Sequence, residues 1–463
     1  MRELDSYKET HSFDAVLRDS TGQELPVDCE IRLPAIWGEG ADIRLAIPHS
    51  VMPFGNFENP CQLTSKIADT AFRLEMNEIW YRKLISSVHP SRHHGAAPVS
   101  LTHIAGMKIT QEFSHLDSEF IVYISTPDLF SKSAHLGRGA RMIDDLSTFC
   151  CPKLGLICLQ RYWVRTALEG TDGFISKAGY LMKISVSDIE LTPDEVLQLV
   201  SPVLKLMSLF FRQRIMVLGW ESIGAGKRER YWQYPLELSK TTYVSVEPKR
   251  FLVTVGTLAK KMESALLAYY DLIPERRGFV DRLSNSLRPT IKMYDSEWFM
   301  AMFKDIESIS KKCTPKQMAT EDEIGAAHEL RHFAEPFQES SRSVFDCISE
   351  FAKQLENGRP KNTTQCICWL LQENDVYSSD LWAVDGNSGL VRIRNKLAHS
   401  GAHRLHHQAL AVATFHLSLL NERLIHCMLG LDCSDDEFHS GRDEWLQHSY
   451  VSSLKKCVFN PIS

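Results

Sequence analysis

The chain has 463 residues, of which 44% are hydrophobic and 24% are charged, and its net charge at pH 7 is -6. This composition is that of a folded globular protein, and the length predicts two domains because one core rarely grows beyond about 250–300 residues. The negative charge excludes a general nucleic-acid coat, so any contact with RNA or DNA must be confined to a local basic segment.

The first residues, MRELDSYKETHSFD, are polar and charged, which excludes the apolar core of a secretory signal peptide. The two most apolar windows, 196–220 and 409–431, are interrupted by charged side chains and are not predicted to cross a membrane. We therefore expect a cytoplasmic protein without membrane association, whose twelve cysteines are reduced thiols.

The cysteines and the group His89, His93 and His94 lack the spacing of a structural zinc site. Buried cysteines and surface histidines are favoured over zinc binding. We expect no metal and no cofactor.

The amino-terminal half has the pattern of a β-sheet. In residues 25–33, Val27, Cys29 and Ile31 alternate with polar residues, which predicts a half-buried strand. Similar runs between turn-forming residues predict strands at 120–124, 156–164, 180–186, 214–220 and 242–246. These elements favour a sheet-rich amino-terminal domain.

One helix interrupts the strands. Thr192 and Glu195 have the spacing of a capping box, and Pro193 occupies the first helical position. The apolar residues from 196 to 211 then recur with helical spacing, so the sequence predicts a helix that ends near residue 211.

The segment 228–234, RERYWQY, alternates cations with aromatic rings. Such alternation favours an ordinary sheet surface, with nucleobase stacking as the alternative. Just before it, Gly224, Gly226 and Lys227 lack the neighbouring residues that a phosphate-binding loop requires, and they predict a hairpin turn.

From residue 252 onward apolar residues recur at three- and four-residue steps, which predicts a helical half. The predicted helices are 252–269, 296–311, 324–355, 363–372 and 405–429, with one more between the last two. We place a domain boundary near residue 246, so that a sheet-rich domain, 1–246, precedes a helical domain, 247–463, and the fold class is α+β.

The octapeptide RNKLAHSG, residues 394–401, lies between Asp385 and Glu422 in a stretch without an acidic residue. The cations and histidines of this stretch are Arg392, Arg394, Lys396, Arg404, His399, His403, His406, His407 and His416. The segment is therefore locally basic in an acidic protein, which predicts a phosphate-bearing partner.

The octapeptide is predicted to lie on a short helix that begins near Gly389 and ends at Gly401 in a left-handed conformation. Asn387 or Ser388, in the preceding turn, is expected to cap its amino terminus.

At about 100° per residue, Leu390, Ile393 and Leu397 form a buried stripe, and Asn395 and His399 share the opposite face. There Asn395 is expected to orient the imidazole through a hydrogen bond. Arg394 lies about 140° around the helix from His399. The two converge only if the long guanidinium arm folds across the helix or if a facing helix completes the pocket, and pairing across a two-fold axis would bring two such motifs together.

These residue types fit RNA cleavage without a metal. A histidine titrates near neutral pH and can take or give a proton, while a guanidinium binds phosphate oxygens and keeps its charge. Cleavage by attack of the ribose 2′-hydroxyl would select RNA over DNA. The alternative is a solvated helix face on which His399 is a capping residue.

The motif resembles the RNxxxH signature of the HEPN superfamily, whose members are helical-bundle ribonuclease toxins and defence proteins. The segments VRIRNKLAHSG, ALAVATFHLSLLNERLIHCMLGLD and KRFLVTVGTLAKKMESALLAYYD are similar to the ApeA-type branch, in which a sheet-rich domain precedes the HEPN domain. In this resemblance Arg394 and His399 are the catalytic pair, Asn395 is the motif polar residue, and Lys396 and Glu263 are weaker candidates.

The resemblance implies a homodimeric, metal-independent endoribonuclease that acts against phage by abortive infection. Its substrate is RNA, with tRNA as one candidate, and a phage protein is a candidate trigger sensed by the amino-terminal domain. For RNA binding we select Lys396, Arg392, His403 and Arg404. The alternative is a non-catalytic dimer of the same fold that binds RNA or a partner protein.

Overall fold

The computed structural model describes residues 10–33, 37, 42–48, 60–65, 72–84, 96–103, 106–112, 119–125, 143–167, 174–185, 191–224, 226–233, 255–287, 293–315, 319–356, 362–431 and 448–459. They form two compact units. The first unit contains the described residues up to Gln233 and helix residues 255–267, and the second contains those from Ala268 onward. The predicted boundary near residue 246 and the predicted strand 242–246 lie outside the described residues.

The first unit is built on one antiparallel sheet. Its strands are β1 (Thr10–Arg18), β2 (Glu24–Arg32), β3 (Asp42–Pro48), β4 (Cys61–Ser65), β5 (Phe72–Leu84), β6 (Ala96–His103), β7 (Gly106–Glu112), β8 (Glu119–Ile124), β9 (Ile143–Cys151), β10 (Gly155–Ala167), β11 (Phe174–Ile184), β12 (Val217–Gly224) and β13 (Lys227–Gln233). β4 pairs with both β1 and β5, so that β1, β2, β3, β6, β5 and β4 close into a ring. From β5 the sheet continues as β7, β13, β12, β8, β11, β10 and β9.

The alternation in residues 25–33 is confirmed as strand β2. Val27, Cys29 and Ile31 are buried in one apolar cluster with residues of the neighbouring strands, while Asp28 on the other face is exposed. The predicted strands at 120–124, 156–164, 180–186 and 214–220 correspond to β8, β10, β11 and β12.

The predicted helix and hairpin of the first unit are also confirmed. Helix α1 (Pro193–Phe210) begins with a capping box, in which the backbone amide of Glu195 donates to the Thr192 hydroxyl and the Thr192 amide donates to the Glu195 carboxylate. β12 and β13 form an antiparallel hairpin, in which Gly224 pairs with Lys227 next to the turn and Gly219 pairs with Trp232 at the far end. The segment 228–234 thus supplies most of strand β13.

The remaining helices are α2 (Val255–Asp271), α3 (Pro274–Leu287), α4 (Asp295–Cys313), α5 (Glu321–Ala334), α6 (Phe337–Ser340), α7 (Arg342–Glu356), α8 (Thr363–Glu373), α9 (Leu390–Ser400), α10 (His407–Met428) and α11 (His448–Cys457). A sheet-rich half is therefore followed by a helical half, and the α+β class is confirmed. The prediction of a single helix over 324–355 is wrong. The helix is interrupted at Pro336 and again at Ser341, whose backbone is extended.

Helices α4 and α10 organise the second unit. α4 packs against α3, α8, α9 and α10, and its apolar face is buried through Phe299, Met302 and Ile306. Nearly every residue of α10 from Ala409 to His426 is buried, as expected of a helix surrounded by others. Among the described residues, every helix is too short or too polar to span a lipid bilayer.

Candidate active site

The octapeptide lies mainly on α9, as predicted. The helix begins after Gly389 and ends at Gly401, whose φ of +77° is left-handed. The predicted cap is wrong, because neither Asn387 nor Ser388 caps the helix. The Asn387 side-chain oxygen instead accepts a hydrogen bond from Arg392, and the Ser388 carbonyl accepts one from the Trp382 indole.

The predicted faces of α9 are largely confirmed. Leu390 and Ile393 are fully buried, whereas Leu397 is only half-buried. Asn395 and His399 are both exposed on the other side. The buried pair anchors α9 to the bundle and leaves the imidazole in solvent.

Arg394 is held by a carboxylate on a neighbouring helix. Its Nη2 lies 2.8 Å from Oε2 of Glu307, which is on α4 and almost fully buried. The other carboxylate oxygen of Glu307 accepts from Lys311 at 2.7 Å and from the Thr363 hydroxyl at 3.1 Å. Four side chains from α4, α8 and α9 therefore form one polar cluster beside the motif, which we call the Glu307 cluster.

The Glu307 cluster keeps its carboxylate charged. Burial alone would raise the pKa of Glu307, but the hydrogen bond from Lys311, the charges of Arg394 and Lys311, and the hydrogen bond from Thr363 outweigh it. The pKa of Glu307 is therefore below its ordinary value. Arg394 accordingly retains a charged partner throughout the pH range in which a histidine titrates.

Asn395 does not orient His399, contrary to expectation. Its side-chain oxygen accepts a hydrogen bond from Nη1 of Arg394 at 3.0 Å. Glu307 and Asn395 thus hold the guanidinium from two sides. Within the described part of the chain, the His399 side chain has no hydrogen bond or ion pair.

The four residues selected for RNA binding have different environments. Arg392 donates to Asn387 and stacks 5.3 Å from the ring centre of Phe459. Lys396 is half-buried and Arg404 is exposed. His403 lies in a short 3-10 helix (Ala402–Arg404), and its side chain is outside the described residues. The basic face seen by solvent therefore includes the exposed Arg392 and Arg404 and the half-buried Lys396 and Arg394.

Two histidines counted as basic in the sequence are structural. His406 is buried and caps α10, since its Nδ1 accepts from the Ala409 amide at 3.4 Å. His416 is 1% exposed, and burial lowers its pKa to about 4. The segment is consequently less positive than its composition indicates.

The acidic partner of the motif was missed in the sequence. Glu263, selected by resemblance, accepts a hydrogen bond from the backbone amide of Cys150 at 2.8 Å within the first unit. Arg394 is instead paired with Glu307. The only signal for Glu307 was a carboxylate on the apolar face of α4, next to Ile306 and Ile309 and one turn before Lys311.

Among the described residues no three histidine, cysteine or acidic side chains are grouped closely enough to hold a metal ion. The group His89, His93 and His94 lies outside the described residues.

Protein-family models, curated proteins and solved structures yield no significant match to this chain.

Proposed function

We propose that the chain is a metal-independent endoribonuclease of the HEPN type that cleaves RNA through attack of the ribose 2′-hydroxyl. The observation that carries the proposal is the position of Arg394, fixed by Glu307 and Asn395 on the same short helix as the exposed His399. Phosphodiester cleavage without a metal requires proton transfer and a cation for the phosphate, and an exposed imidazole and a fixed guanidinium can supply these.

In this mechanism His399 takes the proton of the 2′-hydroxyl, whose oxygen bonds to phosphorus while the P–O5′ bond breaks. The imidazolium, or a water molecule, gives a proton to the leaving 5′-oxygen, and a 2′,3′-cyclic phosphate remains. Arg394 binds the non-bridging phosphate oxygens and stabilises the charge that develops on them. Asn395 positions Arg394 rather than the imidazole. Lys396 and Arg404 attract neighbouring phosphates.

A second copy of the chain completes the site in this proposal. Arg394 points toward α4, whereas His399 points to solvent on another face of α9. One chain therefore supplies the two groups in different directions, and two copies of α9 related by a two-fold axis would place Arg394 of one beside His399 of the other. We propose a homodimer with composite sites.

We further propose that the ribonuclease is cytoplasmic and serves in abortive infection, with tRNA as one candidate substrate. The sheet-rich first unit is proposed to sense a phage protein or to restrain the nuclease. This assignment rests on the sequence resemblance alone.

One observation favours a second candidate, a non-catalytic RNA-binding dimer. The charge of Arg394 is offset by Glu307, and His399 lacks a described partner that would orient its ring. Such an arrangement still attracts phosphate but leaves proton transfer without a positioned imidazole.

Incubation of purified protein with total RNA and a chelator distinguishes the two functions. Cleavage that leaves 2′,3′-cyclic phosphate ends supports the ribonuclease. Protection of RNA from an added nuclease, without such ends, supports the binding protein.

A further inference from the structure

The first unit holds a tryptophan ring between two other aromatic rings. Trp37 stacks on Tyr123 with ring centres 3.9 Å apart and planes 9° apart. On its other side Trp37 stacks on Trp232, at 4.5 Å and 4°. Three nearly parallel rings therefore lie in one stack, and Trp37 is the middle one.

The two outer rings are walls of a slot in the sheet. In the β8–β12–β13 register, Gly219 lies opposite both Tyr123 and Trp232, so the three residues share one face. A Cβ atom at Gly219 would overlap ring atoms of Trp37. Because Gly219 has no side chain, there is room for a planar ring between Tyr123 and Trp232.

Polar groups lie beside this slot. Trp232 is 5% exposed, and its indole N–H has no acceptor among the described residues. The Arg230 guanidinium lies 5.4 Å from the Trp232 ring centre. The buried Glu221, which pairs with Arg228 at 2.6 Å, also faces the Tyr123 hydroxyl at 3.4 Å.

We propose that the slot formed by Tyr123, Gly219 and Trp232 recognises the base of a purine nucleotide, and that Trp37 occupies it in the absence of ligand. Indole and purine are both fused six- and five-membered rings, so a slot that fits one ring system fits the other. Base stacking on aromatic side chains contributes about 1–3 kcal/mol per base.

The surrounding groups favour a nucleotide over an apolar ring. Purine nitrogens or the guanine carbonyl are acceptors for the Trp232 N–H, which burial without a partner makes costly. Arg230, itself 6% exposed, places a positive charge against the Trp232 wall of the slot, which favours an anionic ligand there. Arg230 and Trp232 belong to the alternation of cations and aromatic rings in residues 228–234. They face the same side of β13, so that one strand places a cation and an aromatic ring beside the slot.

Calorimetric titration of the full chain with AMP and with GMP tests the proposal, because no RNA turnover enters the measurement. Trp37→Ala removes the internal competitor and is expected to lower the dissociation constant for at least one nucleotide about tenfold or more. Adding Trp232→Leu to that variant should abolish the gain. Ribose 5-phosphate, which has no ring, should not bind.

A matched control is offered by β10, where Arg161 lies 5.0 Å from the ring centre of Trp163 in the same two-residue spacing. Trp163→Leu in the Trp37→Ala chain should leave nucleotide binding unchanged. If the Trp37→Ala chain folds but binds neither nucleotide, the proposal is overturned, even if the chain binds indole. Trp37 would then only stabilise the packing of the sheet.

A second measurement does not depend on the folding of that variant. Photolabelling of the parent chain with 8-azido-AMP should modify Tyr123, Trp232 or Trp37, and excess AMP should suppress the modification. Labelling confined to other residues, or insensitive to AMP, contradicts the proposal.

Discussion

Glu307 is the residue on which the position of Arg394 depends. Its buried carboxylate joins α4, α8 and α9 through Lys311, Thr363 and Arg394. A buried carboxylate is costly unless charged and polar partners surround it, and these three side chains supply them. The catalytic proposal therefore makes Glu307 a positioning residue rather than a group that touches RNA.

Glu307→Gln is expected to lower RNA cleavage by about 10- to 100-fold, because a displaced guanidinium no longer meets the phosphate in a productive geometry. Lys311→Met is the matched control, since it removes another partner of Glu307 but leaves the Arg394 contact. Cleavage rates with a chelator present, together with thermal unfolding, separate the two effects. An equal loss in both variants would mean that Glu307 only stabilises the bundle.

His416 makes the stability of the second unit depend on pH. The folded chain keeps its imidazole neutral, with a pKa of about 4 against an ordinary 6.5, mainly through burial. Below pH 6.5 the His416 imidazole is protonated in the unfolded chain, whereas in the folded chain it stays neutral until the pH falls to about 4. Stability is thus fully present above pH 6.5 and is lost as the pH falls toward 4.

This histidine is expected to lower the free energy of unfolding by about 2 kcal/mol between pH 7 and pH 5. His416→Leu should remove that component, whereas His328→Leu, at an exposed position on α5, should not. Urea unfolding of the three chains at both pH values provides the comparison. Parallel pH dependence in all three would show that His416 is not responsible.

Helix α9 is defined by its two ends and its buried stripe, all of which lie within thirteen residues. Gly401 ends it at φ +77° and ψ 167°, a region that is essentially restricted to glycine. The Gly401 amide donates to the Leu397 carbonyl at 3.2 Å and closes the last turn, which carries His399. The carboxy-terminal end of the site therefore depends on one glycine.

Gly401→Ala should destabilise the chain by about 1–3 kcal/mol. Gly325→Ala in α5 is the control, because that glycine is exposed in the interior of a helix and a Cβ there meets no atom. It should stabilise the chain by about 0.5–1 kcal/mol. Denaturant unfolding measures both, and opposite signs are the expected result.

Elements with strong local patterns could be predicted from the sequence. The alternation in β2, the capping box of α1 and the glycine after α9 are local signals, and each one is confirmed. The long helix predicted over 324–355 failed where Pro336 and Ser341 interrupt an otherwise continuous apolar pattern. Helix α3 was missed because most of its residues are polar or charged.

The contacts of the candidate site could not be predicted in the same way. Arg394 and Glu307 are 87 positions apart, and only the packing of α9 on α4 brings them together. The loss of His406 and His416 from the basic surface also follows from burial, which composition does not reveal. Local chemistry therefore predicted the motif helix, while its partners required the tertiary structure.

The divergent directions of Arg394 and His399 have a consequence for the assembly. If each site takes Arg394 from one copy and His399 from the other, a dimer of Arg394→Ala with His399→Ala retains one intact site. Random exchange of the two inactive chains should then restore about a quarter of the parental cleavage. Sedimentation must show dimers throughout. No recovery in verified mixed dimers would place both groups within one chain.

RNA cleavage by the His399→Ala chain, compared with the parent in the presence of a chelator, tests the proposed ribonuclease most directly. His399 is exposed and has no described partner, so its loss should leave folding and dimerisation intact. We expect at least a hundredfold loss of 2′,3′-cyclic phosphate ends, consistent with the removal of a general acid–base group. Cleavage at the parental rate in this variant would contradict the proposal.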